Sequence, residues 1–450
     1  MKTDFRVLDD INTVISTIPN YFVSGQVVKS VGLIVEATGI RAGVGQICEI
    51  RNSSKDSPLL AEIIGFNGEN LILMALDESS GVSPGSEIRM INKPLMINIS
   101  DSIIGRVIDG LGNPIDGKGL IRGNDFITLN NKPPHPLHRR RISEPFYTGI
   151  RAIDSLITIG KGQRMGIFAG SGLGKSILMG MIARNCYGDI NVIGLIGERG
   201  REVREFLEKD LGEEGLRRSV VVVVTSDQSP LLKVKGAFLT TAIAEYFRNK
   251  GNDVLLMIDS LTRIATSQRE IGLAGGEPPT TRGYTPSVFT LLPKLLERAG
   301  ASENGSITGI YTVLVEGDDH DEPVSDTSRA TLDGHIVLSK KLVVRNHYPA
   351  VDVNASISRV MQDIISRDKI DLANECKKTI AVYNDAEDLI NIGAYSKGSS
   401  PEIDNSLDRI NAINRFLRQG IEEKSDPNDA HCMLKAIFDD QAANNTVDSE

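Results

Sequence analysis

The sequence predicts an α/β protein in three parts: a small N-terminal β-barrel, a core built on a parallel sheet, and a C-terminal helical domain. Three observations carry this. Short β-rich runs follow one another between residues 21 and 97 with no helical pattern among them. From about 148 to 368, apolar strands and helices alternate, the mark of a parallel sheet covered on both faces. Within that alternation, a strand (165–168), a glycine loop (169–176) and an apolar helix (177–183) come in direct succession.

Taken in order, residues 1–20 carry Leu8, Ile11, Val14, Ile15 and Ile18 at helical spacing, ended by Pro19. This short amphipathic helix reads equally as lying on its own domain or docking on a partner. The barrel runs are 22–28, 33–37, 61–66 and 71–74, separated by glycine and Asn/Ser/Asp turns. Residues 104–117 read as a glycine-punctuated hairpin connection. The linker after it holds Pro133, Pro134, Pro136 and the triplet Arg139-Arg140-Arg141, expected to be a solvated or interface-facing basic strip. Candidate core strands are 164–168, 191–196, 220–225, 253–258 and 309–315. Beyond 370 the pattern is helical, with Ile403, Leu407, Ile410, Ile413 and Leu417 on one face and Gly420 as a stop. The polar tail after Ala443 is expected to be disordered. The expected divisions are therefore 1–20, 21–97, 98–370 and 371–450.

Bulk properties narrow the function. A net charge of −9 over 450 residues, with no Trp, argues against a nucleic-acid binder. Cys48, Cys186, Cys376 and Cys432 are scattered without a C-x-x-C pair, so free buried thiols in a reducing compartment are expected. No apolar run approaches a membrane span and no signal peptide is evident, which predicts a cytoplasmic protein.

The loop Ala169-Gly170-Ser171-Gly172-Leu173-Gly174-Lys175-Ser176 makes this a phosphate-loop core. Glycines let backbone N–H groups of residues 170–177, ending at Ile177, close around phosphates, and the positive helix end points at them. Lys175 would reach the β- and γ-phosphates of ATP, and the Ser176 hydroxyl would ligate Mg²⁺. The usual first glycine of the motif is replaced by Ala169.

Two acids end apolar strands. Asp259 follows the run 254–258, where phosphate-loop enzymes place the carboxylate that holds Mg²⁺. Glu198 follows 191–196 and begins Glu198-Arg199-Gly200-Arg201-Glu202. From the residues alone, Glu198 reads equally as the base that deprotonates the attacking water, with Arg199 meeting the γ-phosphate, or as part of a charged helix start.

The run Pro349-Ala350-Val351-Asp352-Val353-Asn354-Ala355-Ser356-Ile357-Ser358 resembles the signature of the rotary ATPase α/β family. The resemblance covers about residues 21–420. It implies a RecA-like core in a hexameric ring, and it resolves the site. Glu198 matches the catalytic glutamate of the family's Gly-Glu-Arg motif, and Glu202 a nearby acid that helps hold magnesium waters. Tyr348 matches the tyrosine that stacks on adenine. Arg359 matches the arginine finger, which reaches into the neighbouring subunit's site.

Residues 312–326 and 332–339 look like the type III secretion branch, and so do 267–274 and 276–289. In that branch, the Thr-Thr-Arg-Gly-Tyr form of 280–284 is closer to the flagellar export ATPases than to the injectisome ones. This implies a homohexameric Mg-ATP hydrolase at the inner-membrane export apparatus. Its implied partners are a stator-like negative regulator at the N-terminal helix, a central stalk coiled coil, export-gate proteins, and export chaperones with cargo; no nucleic acid is implied. The acidic run 316–322 is expected to act as a conformational sensor, and 275–286 to line the central channel. Three rivals are a catalytic subunit of an ATP synthase or vacuolar-type ATPase, a ring helicase, and a non-catalytic nucleotide-binding subunit. Retention of Glu198 argues against the last, and the lack of a basic aromatic site in 21–97 against the helicase.

Overall fold

The computed structural model describes residues 23–51, 58–77, 81–91, 96–315 and 322–439. The expected helix at 1–20, most of the acidic run 316–322 and the tail after 443 lie outside them. The chain divides into two compact units, one within Met1–Leu95 that also takes in Leu273–Glu277, the other formed by Met96–Gly272 and Pro278–Glu450.

In the first unit six strands close into an antiparallel barrel. They are β1 (Ser24–Val31), β2 (Ile34–Thr38), β3 (Ile47–Arg51), β4 (Leu59–Asn67), β5 (Asn70–Ala75) and β6 (Glu87–Met90), in the order β1-β2-β5-β4-β3-β6, with β1 pairing back on β6. Period-2 alternation fills the interior: Val27, Val35, Ala37, Cys48, Ile50, Ala61, Ile63, Leu73 and Ile88 form its core. Closure leaves the barrel no free strand edge.

The second unit opens with β7 (Met96–Ile99), β8 (Val107–Asp109) and β9 (Asp125–Thr128), of which β7 and β9 pair antiparallel. After a small pair, β10 (Pro145–Phe146) with β11 (Ile159–Gly160), come β12 (Arg164–Ala169), β13 (Ile190–Glu198), β14 (Ser219–Thr225), β15 (Asp253–Asp259), β16 (Gly300–Ala301), β17 (Ser306–Leu314), β18 (Gly334–Leu338) and β19 (Val351–Ser358). The sheet order is β19-β18-β12-β17-β15-β13-β14-β8, with β16 at the side of β17. All its pairings are parallel except those of β16 and β19. The central strands are buried almost end to end, as a sheet covered by helices on both faces demands. Helices Arg367–Asn391, Pro401–Leu417 and Pro427–Asp439 complete the C-terminal part. Among the described residues, no helix is long and apolar enough to cross a membrane.

Three sequence expectations are corrected. Residues 104–117 do turn back on themselves, through an Ile108–Pro114 bridge, but Val107–Asp109 also joins β14 as an edge strand of the main sheet. The basic triplet is a solvated strip only in part, because Arg139 turns inward. Arg139 donates to the carbonyls of Ala299 (2.9 Å) and Glu297, and Arg140 to that of Ser302 (2.7 Å). Arg140 and Arg141 are nonetheless exposed, as expected, Arg141 at 81% and 3.4 Å from Asp363. The cysteines are free, but Cys432 is exposed rather than buried.

The interior also holds an ion pair. Arg298, fully buried, donates to both oxygens of Glu245 (2.8 and 2.6 Å) and to the Leu129 carbonyl (2.7 Å). Asn131 donates to the same carboxylate at 2.7 Å, so the linker after β9 is pinned to helix Pro230–Asn249. Removing one partner of such a pair strands a buried charge. Arg298→Ala is expected to cost about 3–5 kcal/mol, read as an earlier urea unfolding midpoint for the intact chain.

Candidate active site

The loop grows out of β12. Ala169 is its last residue, paired with Leu314, and its carbonyl accepts from Val315 N–H at 3.1 Å. An extended residue needs no glycine freedom, which is why alanine serves there. Gly172 (φ +76°) and Gly174 (φ +86°) do need it. Gly174 leads into helix Lys175–Asn185, which has no side-chain cap, so its first N–H groups remain for an anion. Gly170–Ile177 therefore present a backbone cradle; Ser171, Gly172, Ser176 and Ile177 are exposed, while Leu173 is buried beneath.

The sheet then brings the acids to the lysine. Leu195 of β13 pairs with Asp259 of β15, so Asp259 and Glu198 stand at one end of the sheet. Lys175 Nζ lies 2.5 Å from Asp259 Oδ1 and 3.7 Å from Glu198 Oε1. Thr312 Oγ1 donates to the same Asp259 oxygen at 2.6 Å. Glu198 Oε1 is buried with no hydrogen-bond partner. Burial, then the charge of Asp259 and the approach of Glu202, push its carboxyl up to about 7, while Lys175 pulls it down. A carboxyl poised there can exchange a proton with water near neutral pH.

Other predicted residues fall at different distances from this centre. Glu202 stands in the first turn of helix Gly200–Glu205, half exposed. Arg199, 76% exposed, lies 3.5 Å from Glu202. Tyr348 borders the loop: a Cβ built on Gly174 would lie 3.8 Å from its Cε1. Arg359 is not brought in. β19 runs antiparallel, Leu338 facing Val351 at one end and Gly334 facing Ser358 at the other. Tyr348, before β19, thus stands at the loop's end of the sheet, and exposed Arg359, after it, at the opposite end.

Sequence reasoning missed several supporting groups. Gln419 holds the Tyr348 carbonyl through its N–H at 2.9 Å. Its side chain accepts from Arg151 N–H (2.9 Å) and donates to Gly149 O (2.8 Å). Buried Arg151 donates to the carbonyls of Phe416 and Arg418 and to Glu423, tying the C-terminal helices to the loop domain. Arg263 lays its side-chain stem against Gly197, next to Glu198. Nothing in local sequence pattern marks these.

The donor set suits magnesium brought in with a nucleotide. Ser176, Asp259 and Glu202 offer hard oxygens, and Mg²⁺ ordinarily takes one or two protein ligands beside phosphate oxygens and waters. Among the described residues there is no group of three His, Cys, Asp or Glu side chains that would form a cage of its own.

Known proteins match most of the chain. Residues 149–358 match the nucleotide-binding domain of the ATP synthase alpha/beta family and 27–92 its beta-barrel domain. Residues 365–436 match the T3SS EscN ATPase C-terminal domain. The flagellum-specific ATP synthase of Bacillus subtilis (strain 168) is 52% identical over 400 residues, 89% of this chain and 91% of that one. The chain belongs to the type III secretion ATPases of the ATP synthase α/β family. The type 3 secretion system ATPase of Xanthomonas euvesicatoria is 48% identical over 418 residues, 92% and 94% of the two chains. Assembled EscN of enteropathogenic E. coli superposes with a TM-score of 0.87 at 43% identity, covering 92% of this chain and 99% of that one. The same ATPase in complex with its central stalk EscO gives 0.85. As a member of these secretion ATPases, the chain is an ATP-hydrolysing enzyme of a type III export system, and the expected barrel, parallel core and helical C-terminal part are those of EscN.

Proposed function

We propose that the chain is the ATPase of a flagellar protein-export apparatus, acting as a homohexamer whose active sites are each shared between neighbours. One observation carries this reading: Arg359 stands at the end of the sheet opposite its own phosphate loop, while Lys175, Glu198 and Asp259 converge. An arginine so placed cannot serve its own site and is available to the next subunit's.

In the proposed mechanism, Lys175 and the amides of 170–177 bind the phosphates, the ammonium exchanging its carboxylate partners for phosphate oxygens. Ser176, and through water Asp259 and Glu202, would hold magnesium, which when bound would supply charge neutralisation for the phosphates. Tyr348 stacks on the base. Glu198 takes a proton from the attacking water at a carboxylate oxygen as that water displaces the γ-phosphate in line. Arg359 of the neighbour meets the developing charge; Arg199 turns inward from Glu202 to help. Hydrolysis is coupled to release of chaperones from cargo and to export.

The stalk complex of EscN supports a central stalk coiled coil as a partner here. A stator-like regulator on residues 1–20, export-gate proteins, chaperones and cargo complete the proposed setting, on the cytoplasmic side of the inner membrane. The 52% identity to the Bacillus flagellum-specific ATP synthase, against 48% to the Xanthomonas type 3 secretion system ATPase, supports the flagellar setting.

ATP hydrolysis against protein concentration, with light scattering alongside, tests the ring. Specific activity is expected to climb steeply as the hexamer appears. Activity independent of concentration, or absent until another subunit is supplied, would overturn the homo-ring.

A further inference from the structure

The sheet order puts a strand between the two that carry the chemistry. β17 runs between β12, which ends in the phosphate loop, and β15, which ends in Asp259. Ile167 pairs with Thr312, and Ile258 with Tyr311, which brings Thr312 level with Asp259. Thr312 is wholly buried, and its hydroxyl donates to Asp259 Oδ1 at 2.6 Å, the oxygen that also receives Lys175. Two positions on, Leu314 N–H donates to Thr262 Oγ1 at 2.9 Å, fixing the end of β17 to the helix that follows Asp259.

We propose that Thr312 is a positioning residue for this ATPase, holding the Asp259 carboxylate so that Oδ1 is committed and Oδ2 takes a magnesium-bound water. A carboxylate held only by a lysine can swing about its terminal torsion, because the lysine is long and its ammonium moves to the phosphates when nucleotide binds. A threonine is short, stiff at χ1 and here embedded in the middle of a sheet. Among the described residues, it is the one donor to Oδ1 that stays in place when the lysine leaves. Partners of this kind, one step removed from the metal, are worth about 10- to 100-fold in metal affinity or activity where they have been removed.

The inference rests on Asp259 as the magnesium carboxylate, so the test carries Asp259→Asn beside it. Thr312→Val keeps shape and removes the hydroxyl. Its readouts are the Mg²⁺ concentration that half-saturates fluorescent-ADP binding, ADP affinity in EDTA, and turnover. The expected result for Thr312→Val is a Mg²⁺ midpoint raised about 10-fold and turnover lowered by a similar factor, with EDTA affinity unchanged. Thr312→Ser, which restores a hydroxyl, is expected to recover most of both. A native Mg²⁺ midpoint in Thr312→Val, beside a shifted one in Asp259→Asn, overturns the role of Thr312. Native midpoints in both overturn the reading of Asp259 itself. Equal loss of affinity with and without Mg²⁺ makes Thr312 a packing residue only and overturns the proposal. Should Thr312→Val fail to fold, Thr312→Ala against Thr312→Ser gives the same comparison.

Discussion

Arg359→Ala is expected to bind nucleotide with near-native affinity and to hydrolyse it roughly 10³-fold more slowly, the lower end of what such fingers contribute in nucleotide hydrolases. The argument is one of position. The residue's own loop lies at the far end of the sheet, and its guanidinium donates to the Arg329 carbonyl at 3.3 Å. Its loss should therefore leave the phosphate cradle, Tyr348 and the Lys175 cluster intact. Complementation gives a sharper form of the same expectation. Chains with Lys175→Ala and chains with Arg359→Ala, each inactive alone, should regain part of the native rate when mixed, since some interfaces then pair a good loop with a good finger. Mixtures no more active than their components would remove the shared site.

Glu198→Gln should retain ATP and fail to turn it over, with a loss of about 10²–10⁴-fold, the range of general acid–base catalysis. The sign of the pH dependence follows from the environment. Burial and the Asp259 charge hold the Glu198 carboxyl at about 7, well above its ordinary value. Below that pH the group is protonated and cannot accept from water, so kcat/KM should fall towards acid; above it the carboxylate predominates and the profile should level. The residual activity of Glu198→Gln should lack this limb. A wild-type limb near pH 4.5 would instead place Glu198 in a solvated setting without a proton-transfer role.

How much could be read beforehand depended on the range of the interactions. The phosphate loop was legible because its chemistry lies in eight consecutive residues, and the core strands because their apolar runs are continuous. Asp259 and Glu198 were legible only as acids at strand ends; that both meet Lys175 follows from the order of strands, which residue pattern does not specify. Arg139 read as solvated because the carbonyls it binds, at 297 and 299, lie some 160 positions away. Gln419 is separated from Arg151 by 268 positions and sits in a segment where only helical periodicity could be seen. Thr312 looked like one more β-branched residue of a buried strand, and only the neighbour placed beside it gives its hydroxyl a task. The edge strand β8 escaped notice because three residues are too few to show a period.

The antiparallel strand at the border of the sheet has a mechanical consequence. Its eight residues lie beside only the five of β18, at about 3.3 Å each, with a bulge between Asp352 and Ile357, so it spans some 15 Å. Tyr348, which borders the phosphate loop, lies at its head, and Arg359 lies at its foot. Paired to β18 at both ends and anchored at the head by Gln419, such a short rod passes a tilt imposed at one end to the other. In a closed circle of six, every rod would join the fill of its own pocket to the readiness of the pocket next door. Turnover could then pass round the circle in sequence with no element longer than a single strand to relay it.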